Sequence, residues 1–258
     1  MPPPSATPSI RRLHERYVQQ AGWTSAARAA LYRLTGLAAA RRVLEVGCGT
    51  GVVCRDLPSF TGASVFGLDL DLAPLRFARG EDRESRWVNG DARTLPFVAG
   101  AFDAVLCHFF LLWVHRPEAA LAEMARVLRP GGWLLCLAEP DYGGRLDAPP
   151  PLGELGALQT RALQEQGADP FVGRRLPALL AAAGLEQVRY GILGAESPAA
   201  FSTVDWELEW ATLRADLNGV LSSAQLDEYQ RLDRRAWEHG ERVLFVPTFY
   251  AWGRRPTA

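Results

Sequence analysis

The chain contains no lysine, so all 28 of its Lys-plus-Arg positions are arginine. A P-loop needs Gly-Lys-Ser/Thr after a four-residue gap, and ATP hydrolysis through such a loop is therefore excluded. Cysteine and histidine are scarce, at four each. Cys48, Cys54, Cys107 and Cys136 have neither C-x-x-C spacing nor a histidine cluster beside them, which predicts reduced core thiols rather than a metal site. A surplus of positive charge is missing too. The formal net charge is -1 and the pI about 6.4, so no global field draws in a polyanion, and nucleic acid is not expected as a partner. Long apolar runs are absent: the longest, around Phe109 to Val114, falls far short of the roughly 20 residues of a membrane span. No basic segment followed by an apolar one opens the chain. The expectation is a cytoplasmic protein without a membrane segment.

What is present is an ordinary globular composition, 48% hydrophobic and 22% charged over 258 residues, enough for one domain with elaborations. Residues 1–9 read as a proline-rich flexible leader, and 10–36 as an amphipathic helical cap ended by Gly36. From residue 40 to 140 the pattern alternates strand and helix. Strands are expected at Val43–Val46, Ser64–Asp69, Ser85–Asn89, Phe102–Cys107 and Trp133–Ala138, the last entered by the turn Arg129-Pro130-Gly131-Gly132. Alternation of this kind implies a parallel sheet with right-handed crossovers. Residues 141–172 read as a loop and helix over the cleft, with Ala148–Pro151 as loop. A helix at Arg174–Ala183 and a strand near Leu185–Leu193 follow. Residues 200–240 form a helical insertion, and Arg242–Trp252 a last strand with a bulge or break at Pro247.

The most informative stretch is Val43 to Gly51, V-L-E-V-G-C-G-T-G. A strand covered on both faces runs into a turn with glycines at alternate positions. Bare backbone there allows positive φ angles and close approach, so the amides of Gly47, Cys48, Gly49 and Gly51 are expected to point at a ligand. A dinucleotide fingerprint would place a third small residue five positions after the first glycine, where Val52 stands. Asp69 ends the second strand 22 residues after Gly47. Its carboxylate can accept both hydroxyls of an adenosine ribose, with Leu70 lying against the adenine; Asp71 is read as the cap of the next helix. Asp91, in Asn89-Gly90-Asp91-Ala92, follows the third strand and would on its own read as an Asx turn. Glu45 is a charge inside an apolar strand and must be hydrogen-bonded or paired.

The order and spacing of E-V-G-C-G-T-G, G-L-D-L-D, N-G-D-A, P-F-V-A-G-A-F-D-A-V-L and R-V-L-R-P-G-G-W-L-L resemble the class I S-adenosylmethionine-dependent methyltransferases of the small-molecule, methyltransferase-11-like type. The resemblance implies an α/β, doubly wound, Rossmann-like sheet of seven mostly parallel strands, order 3-2-1-4-5-7-6 with the last antiparallel, carrying helical additions. It implies S-adenosylmethionine as cofactor and S-adenosylhomocysteine as product, with a small organic acceptor. It further implies that Glu45 steadies the glycine loop and the methionine ammonium, and that Asp91 meets the adenine amino group beside the Ala92 amide. His108, at the end of the fourth strand, is the best placed general base, or else packs and hydrogen-bonds against the cofactor's methionine half. Tyr142 is the second catalytic candidate, with Glu139 and Asp141 near it. Tyr17 and Trp23 are the preferred cofactor-covering pair, while His115 reads as a cap or surface residue and His14 and His239 receive no role. Two rivals stand beside this reading, an NAD-dependent oxidoreductase on a related sheet and a non-catalytic cofactor-binding module. The sequence specifies neither the acceptor nor an oligomeric state.

Overall fold

The computed structural model describes residues 9–194 and 201–257, so the leader reading falls outside the described residues except at Ser9. That serine starts α1 (Ile10–Leu34), its hydroxyl accepting the Arg12 amide at 3.4 Å. Gly36, at φ 65°, turns the chain out of the helix in the left-handed conformation that glycine tolerates. Next come β1 (Arg42–Val46), α2 (Val52–Asp56), β2 (Ser64–Asp69), α3 (Leu72–Glu81), β3 (Arg86–Asn89), β4 (Phe102–Cys107), α4 (Pro117–Val127) and β5 (Leu128–Pro140). The second half contains β6 (Leu146–Ala148), α5 (Pro150–Glu165), α6 (Val172–Ala182), β7 (Glu186–Leu193), α7 (Thr203–Asp216), α8 (Ser223–Glu238), β8 (Val243–Phe245) and β9 (Thr248–Arg254).

The main sheet has the order β3-β2-β1-β4-β5-β9-β7. Counted within that sheet this is 3-2-1-4-5-7-6, as the resemblance implies. Pairings among the first five strands are parallel, and β9 runs antiparallel to both β5 and β7. Side chains of β1 alternate between two cores. Leu44 and Val46 join a cluster with Phe102, Met124 and Leu176, whereas Val43 joins Leu31, Leu57 and Leu106 on the other face. Parallel strands buried on both faces need this near-continuous apolar character. No helix among the described residues is long and apolar enough to cross a membrane.

Two local expectations are corrected, and a third is made specific. The Ala148–Pro151 stretch is not all loop, because Pro150 and Pro151 open α5, where a missing amide hydrogen costs nothing. The Arg129–Gly132 turn is absorbed into β5, which begins at Leu128 and shifts register against β4 between Phe102 and Ala104. Of the two expectations at Pro247, a bulge or a break, the structure has the break. It separates β8, which pairs with β6 in a small antiparallel ribbon, from β9 in the main sheet. A proline cannot donate to either ladder, so the break between the two sheets falls there. Helices α5, α7 and α8 then pack around a third apolar cluster that includes Leu152, Trp210, Leu217 and Leu226.

Candidate functional site

The crossover from β1 to α2 takes the shape its glycines require, with Gly47, Gly49 and Gly51 at φ 73°, 51° and 75°. Its amides, however, are already bonded within the protein. Those of Gly47 and Cys48 both donate to the Leu68 carbonyl at 2.8 and 3.0 Å, that of Gly51 to the Cys48 carbonyl at 2.8 Å, and that of Gly49 to Asp69 Oδ2 at 2.8 Å. The expectation of a donating amide nest is therefore corrected. The end of β2 lies close enough to satisfy these groups, and buried amides take the nearest acceptor. A pyrophosphate would need such donors free. What the loop does offer is carboxylate.

Asp69 is half-buried at the tip of β2, its Oδ1 accepting the Asp71 amide at 2.9 Å. Two bonds leave further lone pairs on this carboxylate, which has about four acceptor sites. Burial raises its pKa, opposed by the backbone amides of Asp71, Gly49 and Leu70. Asp71 caps α3 through the Ala73 amide at 2.9 Å, and Leu70 stands exposed beside it. At the neighbouring tip, Asn89 pairs in register with Asp69 and its side-chain amide donates to the Leu70 carbonyl at 2.8 Å. Asp91 forms the Asx turn, accepting the Arg93 amide at 2.8 Å. The Arg93 guanidinium grips the same carboxylate at 2.6 Å and holds its pKa low, while the Ala92 methyl turns into the core. Adenine contact at this tip would have to share Asp91 with Arg93.

Beneath the loop, Glu45 is buried and its Oε2 has no hydrogen-bond partner. Burial pushes its pKa up to about 8, against the lowering effect of the nearby Cys54 thiol and Arg28. A buried carboxyl with a spare oxygen is costly unless something completes it. Together Glu45 and Asp69 suit a ligand that brings positive charge and hydroxyls. S-adenosylmethionine fits that donor set, with its ammonium and ribose, better than a dinucleotide does.

Two aromatic rings roof the loop. A Cβ on Gly47 would collide with the Phe110 ring, and one on Gly49 with Tyr17, 2.5 Å from its Cε2. The Phe110 and Tyr17 rings thus fill the space over the two glycines. A Cβ on Gly51 would instead meet Trp87 and Ala78, so glycine is required there for packing α2 onto the sheet. The Cys48 thiol points into the core near Gly67. Of the covering pair only Tyr17 lies on the loop, its phenol pushed up to about 12 by burial and by Asp69. Trp23 is 55% exposed, with the Arg16 guanidinium 4.9 Å from its ring centre. His14, given no role by the sequence, bonds Thr50 Oγ1 of the loop through Nδ1 at 2.9 Å.

His108 directly follows β4, and its Nε2 meets Thr24 Oγ1 of α1 at 2.8 Å. Burial, then the Arg28 charge, drive its pKa down to about 3, which leaves a neutral imidazole of low basicity. Glu139 at the end of β5 is engaged within the protein. It is fully buried and accepts the amides of Phe110 and Leu111 at 2.9 Å each, fixing the turn after β4. Asp141 likewise serves the loop, binding the Gly143 amide and Arg174 Nε at 3.0 and 2.7 Å. Tyr142 remains available. Its phenol, pushed up to about 12 mainly by burial, lines a hollow of about 160 Å³ with Arg145, Asp147, Gly156 and Thr160. A wider groove of about 500 Å³ runs along α8 past Trp206 and Arg234, away from the strand tips.

Sequence reasoning missed the buried polar set on α1. Ala21, Thr24, Arg28 and Leu31 form one buried stripe of that helix, and a Thr and an Arg at helical spacing with core residues are a readable sign of a buried polar contact. It also missed the ion network under the helical insertion. There Arg242 joins Asp147 at 2.9 Å and Asp233 at 2.5 Å, while Arg145 also binds Asp147.

A family model described as a methyltransferase domain matches residues 44–136. The demethylmenaquinone methyltransferase of Renibacterium salmoninarum is 37% identical over 110 residues, covering 42% of this chain and 46% of the relative. Methyltransferase GfsG of Streptomyces halstedii is 33% identical over 153 residues, 57% of this chain and 51% of that one. The chain thus spans about half the length of the curated relatives it matches. Over nearly its whole length it shares the fold of the chain complexed with the Haloferax volcanii Trm112 methyltransferase activator. That likeness has a TM-score of 0.59 and 22% identity, with 95% of this chain and 94% of that one covered. Sequence motifs, sheet order and matched residues agree in likening residues 44–136 to a methyltransferase domain.

Proposed function

We propose that this chain binds S-adenosylmethionine over the β1–α2 crossover and transfers its methyl group to a small organic acceptor. The observation that carries the reading is the partnerless buried oxygen of Glu45 below a loop whose amides are already satisfied, beside an Asp69 carboxylate with lone pairs to spare. The cofactor supplies an activated methyl on a positive sulfonium. Asp69 accepts the ribose hydroxyls, Glu45 balances the ammonium, and Tyr17 covers the loop, so the protein's part is chiefly placement. Alignment of reacting atoms can contribute about 7–11 kcal/mol in the most favourable intramolecular comparisons. Tyr142 and the polar hollow beside it receive the acceptor, and closure of α1 and α7 keeps water out.

The matched stretch is the cofactor-binding half. The groups that would meet the acceptor, on α1, α5, α7 and the Tyr142 turn, lie beyond it, so from the demethylmenaquinone enzyme we take only that the acceptor is a small molecule. Calorimetry with S-adenosylhomocysteine and with NAD tests the reading. Binding of the first and not the second is expected; the reverse would replace the methyltransferase with an oxidoreductase. Cofactor binding without methylation of any compound in a broad acceptor panel would favour a non-catalytic module.

A further inference from the structure

A continuous chain of hydrogen bonds runs from the end of α2 through α1 to the tip of β4. Asp56 Oδ2 accepts Arg28 Nη2 at 2.5 Å, and Arg28 Nη1 donates to the Ala21 carbonyl at 2.5 Å and to Thr24 Oγ1 at 2.6 Å. Thr24 Oγ1 then meets His108 Nε2 at 2.8 Å. The direction of that last bond follows from counting protons. A threonine hydroxyl has one hydrogen to give and two lone pairs to receive with. Arg28 can only donate, so Thr24 already accepts there.

If Nε2 carried the proton, Thr24 would accept twice and its own hydrogen would have to reach the Ala21 or Gln20 carbonyl, at 3.3 and 3.5 Å. Both distances exceed the 2.5–3.0 Å of a good O–H donor bond. Given to Nε2 at 2.8 Å instead, the hydrogen sits in a bond of ordinary length, and the guanidinium on the same oxygen makes Thr24 a stronger donor. Nε2 is then the acceptor, and the imidazole's one remaining proton lies on Nδ1. Arg28, buried and fixed, opposes a second proton. Among the described residues Nδ1 has no hydrogen-bond partner, and it is not among the fully buried partnerless atoms; a ligand in the cleft would complete it.

We propose that Arg28 and Thr24 are positioning residues that lock His108 as a neutral imidazole protonated on Nδ1, making it a fixed hydrogen-bond donor to a lone-pair oxygen in the cleft rather than a general base. The donor role rests on the methyltransferase reading; the tautomer lock does not. Such an oxygen can come from the carboxylate of the cofactor's methionine half or from the acceptor itself. In either case the histidine takes no proton during turnover, and a proton released by the acceptor leaves by another route.

Nitrogen-15 NMR of the histidine-labelled full chain tests the lock without any ligand, the four histidine signals being told apart with the His108→Asn variant. His108 is expected to show Nδ1 protonated and Nε2 bare, with no titration between about pH 5 and 8, where an ordinary imidazole changes charge. A proton on Nε2, or a midpoint inside that window, overturns the lock. Thr24→Ser should keep the wild-type pattern, and Thr24→Val should give a mixture of tautomers and about tenfold slower turnover, the rate equivalent of about 1.4 kcal/mol. Equal turnover in both variants would leave Thr24 without a positioning role and sink that part.

The source of the oxygen is read from the Nδ1–H resonance. A shift with S-adenosylhomocysteine but not with 5′-methylthioadenosine, which has no carboxylate, assigns it to the cofactor. A shift only when acetate is added to the methylthioadenosine complex assigns it to the acceptor. No shift with any of the three overturns the donor role. Failure of S-adenosylhomocysteine to bind at all would sink the methyltransferase reading while leaving the tautomer measured in the free protein intact.

Discussion

The Gly49 amide donates to Asp69 Oδ2 at 2.8 Å, so the glycine loop and the candidate ribose ligand are one hydrogen-bonded unit. Disturbing either member should disturb the other. Asp69→Ala removes the charged acceptor from the loop and from the ribose together, and hydrogen bonds to charged groups contribute about 1.5–3 kcal/mol each. Affinity for S-adenosylhomocysteine should drop by tenfold or more. Gly49→Val places a β-branched residue at φ 51° and drives its side chain into Tyr17; it should cost affinity comparably. Calorimetry on the two variants checks this, and unchanged affinity in both would contradict the site.

Tyr17 and Trp23 share a helix, yet only one of them rests on the loop. Tyr17→Ala should weaken cofactor binding by about tenfold, since a ring packed against the ligand's hollow is lost. Trp23→Ala removes an exposed ring and its stacking with Arg16, a contribution of about 0.5–1 kcal/mol at such a site, and should leave cofactor affinity within a factor of about two. Equal effects in parallel titrations would mean that α1 repositions when ligand binds.

Much of this fold was legible because its signals are local. Val43, Leu44 and Val46 with three alternating glycines fix a buried strand and a tight crossover, and the strand ends at Asp69 and Asn89 stand where the pattern puts them. The destination of polar groups was not legible, because it depends on three-dimensional neighbours. Nothing in V-G-C-G-T-G says that the Leu68 carbonyl will take two of its amides, nor that Arg93 will hold Asp91. Glu139 and Asp141 read equally well as substrate ligands or as loop fasteners until the amides of Phe110, Leu111 and Gly143 are seen to point at them. Thr24 and Arg28 lay within reach, as polar residues in the buried stripe of α1.

Glu45 ties stability to pH with a definite sign. Its carboxyl is raised from 4.5 to about 8 in the folded chain, so between those values the unfolded chain releases a proton that the folded chain keeps. The associated stability is fully present below pH 4.5 and is lost as pH climbs through 8, at a slope of up to about 1.4 kcal/mol per pH unit. Glu45→Gln should abolish that part of the slope, gaining on the wild type at pH 9 and not at pH 5. Glu139, raised to about 7, slopes the same way in both proteins, so the difference between the urea curves isolates Glu45. Parallel curves at both pH values would show that Glu45 ionises normally.

Arg242 fastens the helical insertion to the β6–β8 ribbon by holding two carboxylates at once, Asp147 and Asp233, with side-chain exposures of 5%, 2% and 6% respectively. Asp233 in turn accepts the indole N–H groups of Trp206 and Trp210, at 2.5 and 2.9 Å. Arg242→Met keeps the aliphatic stem but leaves both acids without their shared cation. Asp147 retains Arg145, whereas Asp233 retains only indoles. Removing one partner of a buried ion pair costs about 3–5 kcal/mol, and urea denaturation should show a loss of that size. An exposed pair is the contrast: Arg93→Met, opposite Asp91, should leave the urea midpoint nearly unchanged, since solvent screens such pairs. Because Glu209 on α7 also grips Arg16 of α1, loosening the insertion should redden tryptophan emission and raise the acceptor KM more than it lowers kcat. If stability fell without either change, the network would be a fastening of the insertion alone, with no bearing on how the cleft closes.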